Sequence, residues 1–159
     1  MNVIREILDK EEKKRISRKI LEALPNWFGI KEAREEYISD CESQYFFAAE
    51  KDREAIGFLC LKQTGKDTVE VSVMGILPEF HRQGIGKELF ALARQYALEK
   101  GFSFMQVKTV QMGCYDIYDD TNKFYKSLGF KEFEVFPTLW DEWNPCQMMI
   151  CKTEEVTCK

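Results

Sequence analysis

The sequence is poor in histidine and has no closely spaced cysteine pair. Only one of its 159 residues, His81, is a histidine, and none of the six cysteines belongs to a Cys-x-x-Cys pair. Structural zinc sites need several Cys or His ligands at short, repeated spacings. We therefore predict no metal site and expect free thiols at the six cysteines, which are Cys41, Cys60, Cys114, Cys146, Cys151 and Cys158.

Three other features are missing: an excess of positive charge, a long apolar run, and in the first 15 residues the apolar core of a signal peptide. The formal net charge is −4, whereas a nucleic-acid binder needs concentrated Lys and Arg to neutralise phosphates. No apolar run approaches the roughly 20 residues that span a bilayer. The N-terminal stretch MNVIREILDKEEKKR is charged. We therefore predict a cytoplasmic protein that binds neither nucleic acid nor membrane.

What is present is the composition of a globular domain, 45% hydrophobic and 31% charged. We expect residues 1–159 to form a single domain. Apolar periodicity predicts the order strand, two helices, three strands, helix, strand, helix and two strands, with Ile16, Ile20, Leu21 and Leu24 on one stripe of the first helix. The segments SQYFFAAE and AIGFLCLKQ, on either side of KDRE, predict an antiparallel hairpin. In TVEVSVMGI, valines alternate with Glu70, Ser72 and Met74, as in a strand with two different faces. The following helix and the strand FSFMQVKTV predict a parallel βαβ crossover in a mixed α/β sheet.

The C-terminal part is predicted to contain a short helix and two strands. The stretch TNKFYKSLG indicates a helix that Thr121 or Asp120 caps and Gly129 ends. The strands FKEFEVFPTL and CQMMICK follow, joined by a loop, WDEWNP. These strands are apolar enough to contribute to a homodimer interface if they are exposed.

A basic stretch with two glycines, HRQGIGK, separates TVEVSVMGI from the next helix. It is not a dinucleotide fingerprint, because Leu89 occupies the third glycine position of GxGxxG. It is not a P-loop, because His81 and Glu88 stand where that motif has Gly and Ser or Thr. Two interpretations remain. One is an ordinary βα turn, and the other is an anion site in which the backbone amides of residues 83–87 meet a phosphate.

The stretch ILPEFHRQGIGKELF resembles motif A of the GNAT superfamily of N-acetyltransferases. In that family the loop binds the pyrophosphate of acetyl-CoA, and the preceding strand holds the pantetheine arm through its main chain. His81 stands where the family usually has Arg or Gln. The resemblance implies acetyl-CoA as co-substrate, no metal, and a fold of about seven strands and about four helices. The residues that it assigns to acetyl-CoA are Met74, Ile76, Leu77, His81, Arg82, Gln83, Gly84, Ile85, Gly86 and Lys87.

A second stretch, FYKSLGF, resembles motif B of the same family, in which a helix carrying a tyrosine ends in Gly-Phe. In the family this tyrosine lies near the CoA sulfur and often protonates the departing thiolate. The resemblance therefore implies that Tyr125 contacts the cofactor and is the general acid. The family often has an asparagine one helical stretch earlier, where this chain has Tyr118. We assign the nearer Asn122 to the cofactor.

Acetyl transfer also needs a neutral amine and a polarised carbonyl. Glu70 is the candidate base, because it lies 11 residues before His81 and this interval resembles that in histone-acetylating members of the family. The alternatives are an exposed strand glutamate and deprotonation through water alone. A strand amide within residues 74–76 is expected to polarise the carbonyl.

These assignments predict transfer of an acetyl group from acetyl-CoA to a primary amine of a small molecule or peptide, by direct attack in a ternary complex. The alternatives are a non-catalytic CoA-binding sensor or degenerate GNAT module, and a binder of another nucleotide phosphate. Carboxylates beside aromatic rings suit a cationic acceptor, although a solvated loop surface explains the same acids. These residues are Asp116, Asp119, Asp120, Asp141 and Glu142, with Tyr115, Tyr118, Trp140 and Trp143.

Overall fold

The computed structural model describes residues 2–154, so Cys158 lies outside the described part of the chain. The elements follow the predicted order. The strands are β1 (Asn2–Ile7), β2 (Tyr45–Lys51), β3 (Glu54–Gln63), β4 (Thr68–Ile76), β5 (Phe104–Val110), β6 (Lys131–Asp141) and β7 (Asn144–Lys152). The helices are α1 (Lys10–Glu22), α2 (Lys31–Cys41), α3 (Ile85–Glu99) and α4 (Asp116–Ser127). None of these helices is both long and apolar enough to cross a bilayer.

The seven strands form one mixed sheet in the order β1-β2-β3-β4-β5-β7-β6. Strands β4 and β5 are parallel, which confirms the predicted βαβ crossover through α3. The pairs β1–β2, β2–β3, β5–β7 and β6–β7 are antiparallel. The chain divides into two compact units. The first unit contains the residues up to Gln63 and Val71–Tyr96, and the second contains Thr64–Glu70 and the residues from Ala97 onward.

In the first unit, α1 buries the predicted apolar stripe. Asp9 caps the helix, since its carboxylate accepts a hydrogen bond of 2.8 Å from the Glu12 N–H and so satisfies one of the free amides of the first turn. Ile16, Ile20 and Leu21 are fully buried. They join a core with strands β2 and β3, so burial of this face holds the helix in place.

The predicted hairpin of β2 and β3 is confirmed. Lys51 pairs with Glu54, and the two residues between them, Asp52 and Arg53, have φ of 51° and 68°. Positive φ at both central positions is the backbone of a type I′ turn, whose twist matches that of the flanking strands. Two adjacent residues of β2, Phe46 and Phe47, are both buried, so this strand is covered on both faces.

Two predictions about the second unit are wrong. Helix α4 begins at Asp116, not near Thr121. It places Asp116 and Asp119 in its first turn, where the helix dipole favours negative charge. The stretch WDEWNP is not a loop, because β6 continues to Asp141 and β7 begins at Asn144. The Asp141 carboxylate accepts hydrogen bonds from the N–H groups of Trp143 and Asn144, both at 2.9 Å, and closes this short turn.

Strand β6 is the terminal strand of the sheet, next to β7. Large apolar side chains are exposed on β6 and on the turn that follows it: Phe133, Leu139, Trp140 and Trp143. Pro137 interrupts the edge, because proline has no N–H to donate to a further strand. The homodimer interface stays a prediction.

We expect Ile20→Ala to lower the free energy of unfolding by about 2–4 kcal/mol, because it opens a cavity under α1. Leu8→Ala is the matched control. Leu8 is 77% exposed, so its truncation should change stability by less than about 0.5 kcal/mol. Urea unfolding of both variants measures the difference. Equal losses would contradict the assignment of Ile20 to the core.

Candidate functional site

The end of β4 is held by backbone hydrogen bonds within the first unit. The Leu77 N–H donates to the Ile56 carbonyl at 2.8 Å. A single 3-10 turn, Pro78–Phe80, follows the strand. The N–H of His81 closes this turn by donating to the Pro78 carbonyl at 3.2 Å. Backbone hydrogen bonds therefore hold the start of the loop HRQGIGK in place.

The loop itself uses left-handed backbone. Arg82 has φ of 62° and Gly84 has φ of 80°, a region that side chains disfavour and glycine tolerates. A Cβ on Gly84 would meet no atom within 4 Å. Conformation, and not crowding by the protein, thus requires glycine here. The open space also lets a ligand approach the main chain.

Helix α3 begins immediately after Gly84. Its first recorded backbone bond runs from the Glu88 N–H to the Gly84 carbonyl at 3.1 Å, so the amides of residues 85–87 precede the helical ladder. Ile85 is buried and anchors the helix start, whereas Arg82 and Lys87 are exposed. Amides at a helix N-terminus with two adjacent cations form an environment for an anion.

Two side chains of the loop contact its own backbone. His81 Nε2 lies 2.7 Å from the Ile76 carbonyl oxygen. Gln83 Nε2 donates to the Glu79 carbonyl at 3.1 Å. The cofactor contacts predicted for these side chains remain predictions, and the sequence contained no signal for the contacts that the structure records.

Glu70 lies in the second unit and is buried, with 8% of its surface exposed. The alternative of an exposed strand glutamate is therefore wrong. The valines that alternate with it, Val69 and Val71, are buried as well, because β4 is covered on both faces at this point.

A lysine accompanies Glu70. Lys108 Nζ and Gln106 Nε2 both lie 3.3 Å from Glu70 Oε1. Gln106 is the direct partner of Glu70 in the parallel pairing of β4 and β5. Lys108 could not be identified from the sequence, because only this register shows that every second residue of β5 lies on the same face as Glu70.

The stretch FYKSLGF contains the C-terminal end of helix α4. The Gly129 N–H donates to the Lys126 carbonyl at 3.1 Å, and the Phe130 N–H donates to the Tyr125 carbonyl at 3.2 Å. Gly129 has φ of 102°. These bonds and this backbone define a Schellman motif. The accompanying apolar contact is the edge-on packing of the Phe130 and Tyr125 rings, whose centroids are 5.6 Å apart.

Tyr125 is nearly enclosed, with 7% of its surface exposed. Burial raises the pKa of the Tyr125 phenol well above its ordinary value, because the charged phenolate would lose its hydration. The phenol is therefore protonated throughout the neutral range. A protonated hydroxyl in a fixed position can donate a proton or a hydrogen bond.

Asn122 is fully buried on the same helix. Its Oδ1 accepts a hydrogen bond of 2.6 Å from the Thr109 hydroxyl, and its Nδ2 donates to the Val110 carbonyl at 2.9 Å. These bonds join α4 to β5. The cofactor contact that we predicted for Asn122 stays a prediction, and the amide already has these two partners.

Some of the predicted acceptor carboxylates bind their own backbone. Asp119 Oδ1 accepts a hydrogen bond of 2.7 Å from the Gly113 N–H, and Asp141 closes the turn after β6. Asp116, Asp120 and Glu142 are exposed. Tyr115, Trp140 and Trp143 are exposed as well. The acceptor surface stays a prediction.

No cysteine in the described part of the chain forms a disulfide bond. Cys41 and Cys60 are buried with their sulfur atoms 3.3 Å apart, and burial raises the pKa of the Cys60 thiol. Cys114 is exposed. Within residues 2–154, no group of three or more His, Cys, Asp and Glu side chains is arranged to hold a metal ion.

The sequence is similar to those of known acetyltransferases. The sequence model of the Acetyltransferase (GNAT) family matches residues 4–130. An uncharacterized N-acetyltransferase from Chlorobaculum tepidum is 28% identical over 110 residues, which cover 67% of this chain and 64% of that relative. The chain thus matches less than two thirds of that relative's length.

Solved structures share the fold over almost the whole chain. A GNAT-family protein from Desulfovibrio desulfuricans has a TM-score of 0.82 at 16% identity and covers 97% of this chain and 100% of its own. An aminoglycoside 6'-N-acetyltransferase complexed with coenzyme A has a TM-score of 0.75 at 17% identity, with coverage of 98% and 99%. At sequence identities of 16% and 17%, the structural similarity establishes the shared fold.

We expect Gly129→Ala to lower the free energy of unfolding by about 1–2 kcal/mol, because a Cβ strains left-handed backbone. Gly65→Ala is the matched control. Gly65 does not have positive φ, and a Cβ there would meet no atom within 4 Å. Urea unfolding should leave this control within about 0.5 kcal/mol of the parent. An unchanged free energy of unfolding in Gly129→Ala would contradict a Schellman motif at the end of α4.

We expect Lys108→Met to lower the free energy of unfolding by about 1–2 kcal/mol at pH 8, because it leaves the buried Glu70 carboxylate without its cation. Adding Glu70→Gln should recover part of the loss. A double-mutant cycle measured by urea unfolding checks this coupling. Strictly additive effects of the two substitutions would contradict a Glu70–Lys108 ion pair in solution.

Proposed function

The chain belongs to the GNAT acetyltransferase family, and we propose that it moves an acetyl group from acetyl-CoA to a primary amine of a small molecule or peptide. The observation that carries the proposal is the turn before α3. Gly84 has left-handed backbone and open space around it, and Arg82 and Lys87 are exposed on either side. Such a turn suits the pyrophosphate of CoA.

In this proposal the amides of Gly84, Ile85, Gly86 and Lys87 bind phosphate oxygens, and the guanidinium of Arg82 and the ammonium of Lys87 neutralise their charge. The strand end from Met74 to Leu77 binds the pantetheine arm through main-chain groups. The Leu77 N–H and the Ile76 carbonyl already have protein partners. The pantetheine contacts therefore fall to the other main-chain groups of this segment.

Tyr125 is the proposed general acid. The amine nitrogen attacks the thioester carbonyl carbon, the carbon–sulfur bond breaks, and the departing thiolate takes the proton of the Tyr125 phenol. The phenolate is then reprotonated from solvent. The raised pKa of the phenol keeps the proton on Tyr125 before the reaction but also makes the phenol a weaker acid, so the proposed role rests on the place of Tyr125 in the stretch that resembles the family motif.

Glu70 is the proposed base, acting directly or through a water molecule. Its two recorded polar contacts both involve Oε1, and we assign Oε2 to the proton that the amine loses. Lys108 forms an ion pair with the carboxylate through Oε1. Attack occurs in a ternary complex, and no acyl-enzyme is formed.

The acceptor is proposed to be a cationic amine. The exposed carboxylates of Asp116, Asp120 and Glu142 and the exposed rings of Tyr115 and Trp143 suit ammonium groups through ion pairing and cation–π contact. The likeness to an aminoglycoside 6'-N-acetyltransferase makes polyamines and aminoglycosides the first acceptors to assay. Amino acids and N-terminal peptides complete the panel.

We expect Tyr125→Phe to lower kcat by about 10²-fold, because it removes the acid, while KM for acetyl-CoA changes by less than about threefold. Tyr37→Phe, a change of the same kind in the first unit, is the control and should keep parental kinetics. Steady-state assays with a saturating amine measure both values. An unchanged kcat in Tyr125→Phe would rule out the acid role.

The function itself is tested by thiol release from acetyl-CoA in the presence and absence of the amine panel, with the acetylated amine identified by mass spectrometry. Amine-dependent release supports the proposal. Tight binding of CoA without turnover of any amine would favour the non-catalytic sensor. Displacement of CoA by ATP at similar affinity would favour a binder of another nucleotide phosphate.

A further inference from the structure

The side chain of the single histidine has a specific partner. His81 is exposed, yet its Nε2 lies 2.7 Å from the Ile76 carbonyl oxygen at the end of β4. A carbonyl oxygen can only accept a hydrogen bond, so Nε2 carries the proton and donates it. The ring also meets the edge of Trp27, with centroids 6.0 Å apart. The imidazole is therefore held on two sides.

The side chain of Gln83 also forms a hydrogen bond with a nearby backbone carbonyl. Gln83 Nε2 donates to the Glu79 carbonyl at 3.1 Å. His81 and Gln83 flank Arg82, whose φ is 62°. Left-handed backbone is unfavourable at a residue other than glycine and persists only where its surroundings enforce it. The hydrogen bonds of the His81 and Gln83 side chains hold the backbone on both sides of Arg82.

We propose that His81 and Gln83 are positioning residues that hold Arg82 in its left-handed conformation and so arrange the loop amides before acetyl-CoA binds. The inference rests on the proposed function, because it assigns the loop to the cofactor phosphates. A loop that is already ordered loses less conformational entropy on binding than a mobile one. The side chains of His81 and Gln83 thus improve CoA binding without touching the phosphates.

The competing explanation is direct contact between the His81 ring and a phosphate. The two explanations predict different results when another residue replaces His81. A tether needs only a hydrogen-bond donor that reaches the Ile76 carbonyl, and the amide of glutamine is such a donor. A phosphate contact through a charged imidazole would contribute to the dependence of affinity on salt concentration.

The test is calorimetric titration of CoA into the parent and the variants His81→Ala and His81→Gln at several salt concentrations. We expect His81→Ala to weaken CoA binding about fivefold to tenfold, the value of one hydrogen bond. His81→Gln should remain within about twofold of the parent, and the salt dependence should be the same in all three. Arg15→Ala, which removes an exposed charge from α1, is the control.

Two results would overturn the proposal. One is parental affinity in His81→Ala. The other is a His81→Gln variant as weak as His81→Ala with a reduced salt dependence, which would establish a direct phosphate contact.

The tether can also be tested without CoA. Since the chain has one histidine, its nitrogen resonances need no assignment, and at pH 8 we expect the Nε2–H tautomer with a proton protected from exchange.

This second measurement separates the inference from the proposed function. A parent protein that shows the protected Nε2–H but does not bind CoA would refute the cofactor assignment and leave the tether intact. A parent that binds CoA while its imidazole exchanges freely would refute the tether and leave the cofactor assignment intact.

Discussion

The left-handed backbone at Arg82 and Gly84 is the constraint on which the connection between β4 and α3 depends. It lets the chain turn within a few residues from the end of β4 into a helix whose first residue, Ile85, is already buried. Because Ile85 anchors the helix start and Leu77 is bonded to Ile56, both ends of the loop are fixed. The amides between them therefore have a defined direction, as anion binding requires.

A second left-handed residue has a comparable effect in the second unit. Gly129 ends α4 in a Schellman motif, and the chain returns so that Phe130 packs on the Tyr125 ring. One turn earlier, Asn122 bonds to Thr109 and Val110 of β5. These contacts hold the Tyr125 ring, and burial raises the pKa of its phenol. In both units a conformation that favours glycine fixes the proposed functional groups.

Much of the fold could be predicted from the sequence, because apolar periodicity reports local structure directly. The burial of Ile16, Ile20 and Leu21 on α1 and the β2–β3 hairpin followed from it. The start of α4 did not, because the polar residues Asp116 and Asp119 give no apolar signal although the helix dipole favours them. The burial of Glu70 and its pairing with Lys108 depend on a parallel register between β4 and β5, which no local pattern encodes. The direction of the His81 side chain likewise depends on three-dimensional contacts.

The turn before α3 is proposed to bind the phosphates of CoA. The most direct test compares by calorimetry the affinities of CoA and of pantetheine, which has the thiol arm but no phosphate. We expect CoA to bind at least about tenfold more tightly and this advantage to shrink as salt increases, because charge-assisted hydrogen bonds to the loop supply it. Equal affinity of the two ligands, or an advantage of CoA that does not depend on salt, would contradict it.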